Sequence, residues 1–312
     1  MKLIFFGTPE TALPSLKKLI TAGHQVELVV TQPDRPKGRG QKLQPPPVKL
    51  FAVENRIPVI QPEKIRRDES VLALIRSYNP EMIVVVAYGQ ILPAELIYFP
   101  VFRSVNVHFS LLPKYRGASP VVWAILNGEE KTGVTIFELN ERMDEGDILA
   151  QVEVPILPRE NAGDLEKRLA HIGAELLVET IAKRPRICPI PQDHSRATYA
   201  PKIDKNFGQV DWTKGADFID RFVRALTPSP GAFTYLEGEL VKIYRGSPLK
   251  TRSLSATAGE IIAINPEGIV VACGGGGGYQ IERVQRANRK EMGAFEFSLG
   301  MRLRPGNHFQ LK

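Results

Sequence analysis

Met82-Ile83-Val84-Val85-Val86-Ala87 runs for six residues without a polar side chain. A strand with one wet face alternates polar and apolar residues. A strand with none is covered on both faces, the condition of a parallel sheet flanked by helices. Working outward, further strands are expected at 2–6, 26–30, 57–60 and 104–109. Between them lie helical spacings: Leu13, Leu16, Leu19 and Ile20, stopped by Gly23, and later Val71, Leu72 and Ile75. Strands alternating with helices predict an α/β fold around a mostly parallel sheet with right-handed crossovers.

Beyond residue 133 the pattern changes. Strands are expected at 134–137 and 148–154, joined through Met143-Asp144-Glu145-Gly146, and a helix at 164–181. Pro185, Pro189, Pro191 and Pro201 then fall among polar residues, which marks a linker. The expected division is a catalytic domain at 1–189, a linker at 190–206 and a second domain at 207–312. In that last part a helix at 216–226 precedes short strands at 233–236, 241–244, 261–264, 269–273 and 279–284. Their close spacing suggests a small OB-like β-barrel.

The 312 residues carry 41 Lys and Arg against 34 Asp and Glu, a net charge of +7. Residues 205–312 hold +5 of that, so an anionic partner or a solvated basic surface is expected there. Two cysteines, Cys188 and Cys273, exclude a disulfide framework and a CxxC metal site, and suggest a reducing cytoplasm. No apolar run reaches the roughly 18 residues of a membrane span, and no His/Cys cluster offers a metal site.

The chemistry is expected on Val105-Asn106-Val107-His108-Phe109-Ser110. Side chains alternate along a strand, so Asn106, His108 and Ser110 share a face, about 6.5–7 Å apart. Asn is disfavoured in strands, and ligands of open α/β sheets bind at the strands' carboxyl ends. An amide donor and an imidazole there can polarise a carbonyl and move protons. On spacing alone, a packed core histidine beside a turn-forming Asn accounts for the same pattern. Asp144 or Asp147 gains meaning only if the fold brings it to His108. Gly7-Thr8-Pro9-Glu10 lacks the GxGxxG glycines, which argues against a dinucleotide site and an NAD oxidoreductase. The loop from Asp34 to Lys42, running into Pro45-Pro46-Pro47, offers Arg35, Lys37, Arg39 and Lys42 to phosphates, and reads equally as a solvated surface. The glycines at 274–278 read as a hairpin loop.

Four blocks then line up in order: Phe6-Gly7-Thr8-Pro9-Glu10, Ala87-Tyr88-Gly89-Gln90-Ile91-Leu92-Pro93, Asn106 through Ala118, and Met143 through Leu149. Over essentially its whole length the chain resembles the methionyl-tRNA formyltransferase family. The resemblance implies a Rossmann-like catalytic domain and an OB-like C-terminal domain. It implies transfer of the formyl group of 10-formyltetrahydrofolate to the amino group of methionyl initiator tRNA, without a metal. It makes Asn106, His108 and Asp144 the catalytic trio, with Ser110, Leu111, Leu112 and Pro113, and Tyr88, Gln90, Ile91 and Leu92, around the folate. Arg35, Lys37, Arg39 and Lys42 would approach the tRNA. The glycine run departs from the family, which usually has an acidic residue there. Asn106 and His108 are expected to donate to the oxyanion, and Asp144 to orient the imidazole and hold a water for proton relay. A monomer suffices. The competing readings are a formyltransferase acting on an amino sugar or a glycinamide nucleotide, and a non-catalytic RNA-binding protein on the same scaffold.

Overall fold

The structure, a computed structural model, describes residues 1–37, 42–249 and 256–310. In chain order the first half contains β1 (Lys2–Gly7), α1 (Leu13–Thr21), β2 (Gln25–Val30), β3 (Arg35–Lys37), β4 (Lys42–Gln44), α2 (Pro47–Glu54), β5 (Val59–Ile60), α3 (Glu69–Ser77), β6 (Met82–Val86), α4 (Ala94–Ile97) and β7 (Ser104–His108). After them come α5 (Pro120–Leu126), β8 (Lys131–Glu138), β9 (Ile148–Pro155), α6 (Ala162–Lys183) and α7 (Ala216–Leu226). The last third holds β10 (Ala232–Leu236), β11 (Glu239–Leu249), β12 (Ile261–Asn265), β13 (Gly268–Ala272), β14 (Gly278–Arg286), β15 (Met292–Gly293) and α8 (Ala294–Gly300).

The chain forms two compact units. The first comprises Met1–Pro120, Lys131–Pro155 and Glu166–Ala200; the second comprises Val121–Glu130, Ile156–Leu165 and the chain from Pro201 onward.

The first unit is built on a seven-stranded sheet in the order β5-β2-β1-β6-β7-β8-β9. Pairing is parallel from β5 through β7 and antiparallel from β7 to β8 and β8 to β9. The apolar run that opened the reading is β6, buried at all five positions and flanked by β1 and β7. Ile4, Phe6, Ile83 and Val85 share one face with Leu72 and Ile75 of α3. Full burial of each such side chain contributes roughly 1.5–3 kcal/mol. Val85 pairs with Asn106, so Asn106 stands on that same face. Val107 faces the other side, where α6 passes so closely that a Cβ at Gly173 would lie 2.9 Å from Val107 Cγ1.

Three local expectations change. Ala87 leaves the strand with φ +48, so β6 ends at Val86. On either side of residues 38–41, Arg35–Lys37 and Lys42–Gln44 pair as an antiparallel ribbon, and Pro47 starts α2. Proline suits a first helical turn, whose N–H groups have no intrahelical partner. The proline-rich stretch expected as a linker is divided between the units after Ala200. Its first part is strapped onto the first unit. Ile190 pairs with Ile148, and Arg116 N–H donates to Thr198 O at 2.9 Å.

The second unit is an antiparallel OB-like sheet in the order β10-β11-β14-β13-β12, with β15 on β14. Ala232, Thr234 and Leu236 point inward and their neighbours outward, the two-residue period of a sheet with one covered face. The C-terminal segment reaches both edge strands: Ile261 N–H donates to Asn307 O and Gln310 N–H to Tyr235 O, each at 2.8 Å. Trp212 and Phe309 stack in its core with ring centroids 5.9 Å apart. The glycine run at 274–278 connects β13 to β14, with Gly274 N–H held by Trp212 O at 2.9 Å.

Candidate active site

A cavity of about 500 Å³ opens at the carboxyl ends of β6 and β7. Its wall includes Tyr88, Gln90, Ile91 and Leu92 from the turn after β6, Asn106 and His108 from β7, and Asp144 from the loop after β8. The parallel pairing of β6 and β7 ends both strands at the same rim. β8 runs antiparallel to β7 and ends with Glu138 opposite Val105, away from that rim, so it is the loop after β8 that turns back and carries Asp144 to it.

His108 is held from one side by its own loop. Its Nε2 lies 2.9 Å from the backbone carbonyl of Tyr115. A carbonyl only accepts, so Nε2 carries a hydrogen and Nδ1 is the free nitrogen. Nδ1 lies 3.8 Å from Asp144 Oδ2, and the two side chains are 7% and 13% exposed. The same Oδ2 accepts a 2.8 Å hydrogen bond from Gly117 N–H. Residues 115–117 therefore hold both members, one by a carbonyl and one by an amide. Asn106, half-buried one strand repeat back, faces the same cavity. The expected donation from His108 to an oxyanion is thereby specified: Nε2–H is committed to Tyr115, so only a protonated Nδ1 can donate into the cavity.

The other expected residues separate into two groups. Tyr88, Gln90, Ile91 and Leu92 reach the wall, in different ways. Tyr88 is buried edge-on against Phe6 at 5.1 Å, and burial pushes its phenol well above the usual tyrosine range. Gln90 accepts from Ile65 N–H and donates to Pro62 O, so it shapes the wall from behind. Ile91 is half exposed at the rim. Ser110, Leu111, Leu112 and Pro113 do not line the cavity. The strand ends at His108, so alternation no longer governs Ser110. Its hydroxyl donates to Lys114 O at 2.7 Å, and its carbonyl accepts from Thr135 Oγ1 at 2.6 Å. Gln151 donates to Leu112 O at 2.8 Å. This block braces the loop that carries Tyr115 and Gly117. Asp147 stays off the wall, its carbonyl taken by Glu138 N–H.

Sequence reading missed the supports of the Asp144 loop. Tyr98 O–H donates to Glu141 at 2.7 Å, which holds the Glu141 carboxyl below its usual range and pushes the phenol up. Behind the loop, the buried Arg116 lies 3.3 Å from Glu145 and donates to Gln192. Arg116 stood inside a recognised block, but its partners are far away in sequence and no spacing announces them.

On the basic ribbon, Arg35 pairs with Glu63 at 3.3 Å and Lys42 is exposed. Arg39 and the side chain of Lys37 lie outside the described residues. Among the described residues no group of His, Cys, Asp and Glu is arranged to hold a metal, and no helix is long and apolar enough to cross a membrane.

The formyl transferase family model matches residues 1–181, and the formyl transferase C-terminal domain model matches residues 202–302. The chain is therefore a formyl transferase, with the catalytic-type sheet followed by the domain that accompanies it. A methionyl-tRNA formyltransferase of Geobacter sulfurreducens is 46% identical over 308 residues, covering 98% of this chain and 96% of that protein. One from Synechococcus is 46% identical over 321 residues, covering 100% and 99%. The chain belongs to the methionyl-tRNA formyltransferase family. Solved structures share the fold at lower identity. HypX from Aquifex aeolicus in complex with tetrahydrofolic acid superposes with a TM-score of 0.64 at 16% identity, over all of this chain and 50% of that one. An N-formyltransferase from Helicobacter canadensis, with folinic acid and dTDP-3-aminofucose, gives 0.65 at 21% identity over 92% and 100%.

Proposed function

We propose that this chain transfers the formyl group of 10-formyltetrahydrofolate to the α-amino group of methionyl initiator tRNA, with Asn106, His108 and Asp144 as the catalytic group. The observation that supports this most directly is the approach of His108 Nδ1 to Asp144 beside Asn106, at the end of a cavity with mostly apolar walls. Val85, Leu92, Ile97 and Leu139 suit a flat ring system, and the polar corner suits the formyl group. The formyl donor is a co-substrate, and the reaction calls for no metal.

The attacking amine must be neutral, and free α-amino groups titrate near pKa ~8, so a useful fraction is neutral at pH 7. As the amine nitrogen bonds to the formyl carbon, charge develops on the formyl oxygen. The Asn106 amide donates to it, a contact typically worth about 3–4 kcal/mol in such sites. His108, protonated on Nδ1, donates as well, and Asp144 balances the imidazolium. Asp144 also holds a water that passes the amine proton toward the folate N10 as the bond from carbon to N10 breaks.

Arg35, Lys37, Arg39 and Lys42 are proposed to contact the tRNA backbone, and the domain at 207–312 to bind it further. The catalytic domain at 1–189 and the linker at 190–206 complete the proposed division. The enzyme is proposed to work as a cytoplasmic monomer, since every catalytic residue comes from one chain and charged tRNA and folate meet in the cytoplasm.

The test mixes the purified protein with methionyl initiator tRNA and 10-formyltetrahydrofolate and follows formyl-methionine on the tRNA. Rapid formylation, absent with elongator methionyl-tRNA, supports the reading. Folate binding without formylation, together with turnover of an amino sugar or a glycinamide nucleotide, overturns it.

A further inference from the structure

We infer that Gln192, from the segment read in the sequence as a linker, is a positioning residue for the catalytic Asp144. The inference rests on the assignment of Asp144 above.

Gln192 is 5% exposed, and both ends of its amide are engaged. Nε2 donates to the backbone carbonyls of Asp144 at 2.8 Å and Gly146 at 2.7 Å. Oε1 accepts from Arg116, at 3.2 Å from Nε and 2.7 Å from the NH2 nitrogen. An amide has two donor hydrogens and two acceptor lone pairs, so its capacity is full. Asn or Gln at a domain linker has no reason to be buried and saturated in this way.

The bonds fall on the two backbone segments that place the catalytic pair. Asp144 sits at φ +55, a conformation uncommon for a residue with a side chain, within a turn where its own carbonyl and that of Gly146 both aim at Gln192. Arg116 lies between Tyr115, whose carbonyl holds His108 Nε2, and Gly117, whose amide holds Asp144 Oδ2. One side chain therefore ties the Asp144 turn to the segment that orients both His108 and Asp144. Two further groups lock the tie. Arg116 lies 3.3 Å from Glu145 Oε1 and donates to His194 Nδ1 at 3.0 Å. The strap itself is held by pairing of Ile190 with Ile148 and of Tyr199 with Arg116. Gln192 touches none of the reacting atoms. Its effect passes through the placement of Asp144, and a misplacement of about 1 Å at a reacting group can cost about 100-fold.

The test uses Gln192→Glu and Gln192→Met, each in the wild-type chain and in Asp144→Ala. Gln192→Glu keeps an acceptor for Arg116 but faces two carbonyls with an oxygen instead of a donor. It should fold even if the apolar Gln192→Met does not. The expected result is a fall in kcat of at least about tenfold, with the dissociation constant for tetrahydrofolate changed by less than about threefold. In the Asp144→Ala background the same substitution should cost less than about twofold, because the group it positions is gone. A wild-type kcat for Gln192→Glu overturns the inference. So does an equal loss in both backgrounds, or a loss confined to folate affinity. If Asp144→Ala alone keeps wild-type turnover, the assignment of Asp144 falls and the inference with it. If Asp144→Ala is slow and Gln192→Glu is not, only the role of Gln192 falls.

Discussion

Asp144 Oδ2 lies 3.8 Å from His108 Nδ1 and accepts its hydrogen bond from Gly117 N–H instead. The backbone, not the imidazole, thus holds this carboxylate oxygen. With Nε2–H given to Tyr115 O, Nδ1 and Oδ2 face each other as two acceptors, and they hydrogen-bond only through a proton on Nδ1 or a bridging water.

His108 and Asp144 are expected to act as one unit with Asn106. Single-turnover formylation should slow by about 10²–10³-fold in each of His108→Ala, Asp144→Ala and Asn106→Ala. The His108→Ala/Asp144→Ala double variant should lose little more than the worse single one, since the second group works through the first. Fully multiplicative losses would show two independent contributions. In Asn106→Ala the loss should fall on kcat rather than on folate affinity, because its contact strengthens as charge develops.

Gly146 has no room for a side chain. A Cβ there would lie under 2 Å from the carbonyl oxygen of Glu138. Gly146→Ala must push β8 and the Asp144 turn apart, and overpacking of this kind typically costs about 1–3 kcal/mol. Thermal melting should report the loss of stability, and turnover should fall further than the fraction unfolded explains. An unchanged Tm would mean the turn relaxes freely.

The two thiols should separate cleanly. Cys188 is exposed, whereas Cys273 is buried in the second unit and burial pushes its thiol up to about 12. The thiolate is the reactive form, so at pH 8 a disulfide reagent should titrate one thiol in the native protein and two after denaturation. Two fast native thiols would place Cys273 nearer solvent.

Asp34 gives an acid-side dependence. Its hydrogen bonds from Lys49 and Gln61 hold the carboxyl below the usual aspartate range. A depressed folded value stabilises above the unfolded pKa, and that contribution is lost as pH falls through the folded value, below about 4. Lys49→Met should therefore lower the Tm at pH 7 and converge with wild type as pH falls through the folded value of Asp34. A constant gap at all pH values would assign the loss to packing of the lysine stem.

The central strands were legible because burial on both faces leaves an unbroken apolar signature, as in 82–86 and 3–6. The OB-like strands were legible through their short length and close spacing. Asn106 and His108 were legible because a polar pair on one face of a buried strand contradicts its surroundings. Ser110 was misplaced for the complementary reason: alternation was extended two residues past the strand's end, into a loop that obeys other rules. The pairing of Arg35–Lys37 with Lys42–Gln44 was missed because it rests on three residues per strand, too few to show a period.

Residue types along the chain settled the class of fold, the strand that carries the chemistry and the family. Local backbone chemistry and side-chain burial act over a few residues, and a single sequence displays them directly. The meeting of His108 with Asp144, 36 positions later, belongs to the folded chain alone, as does the capture of the Asp144 turn by Gln192 a further 48 positions on. Those contacts depend on the turn-back of the loop after β8 and on the path of the 190–200 strap, and only packing brings their partners together.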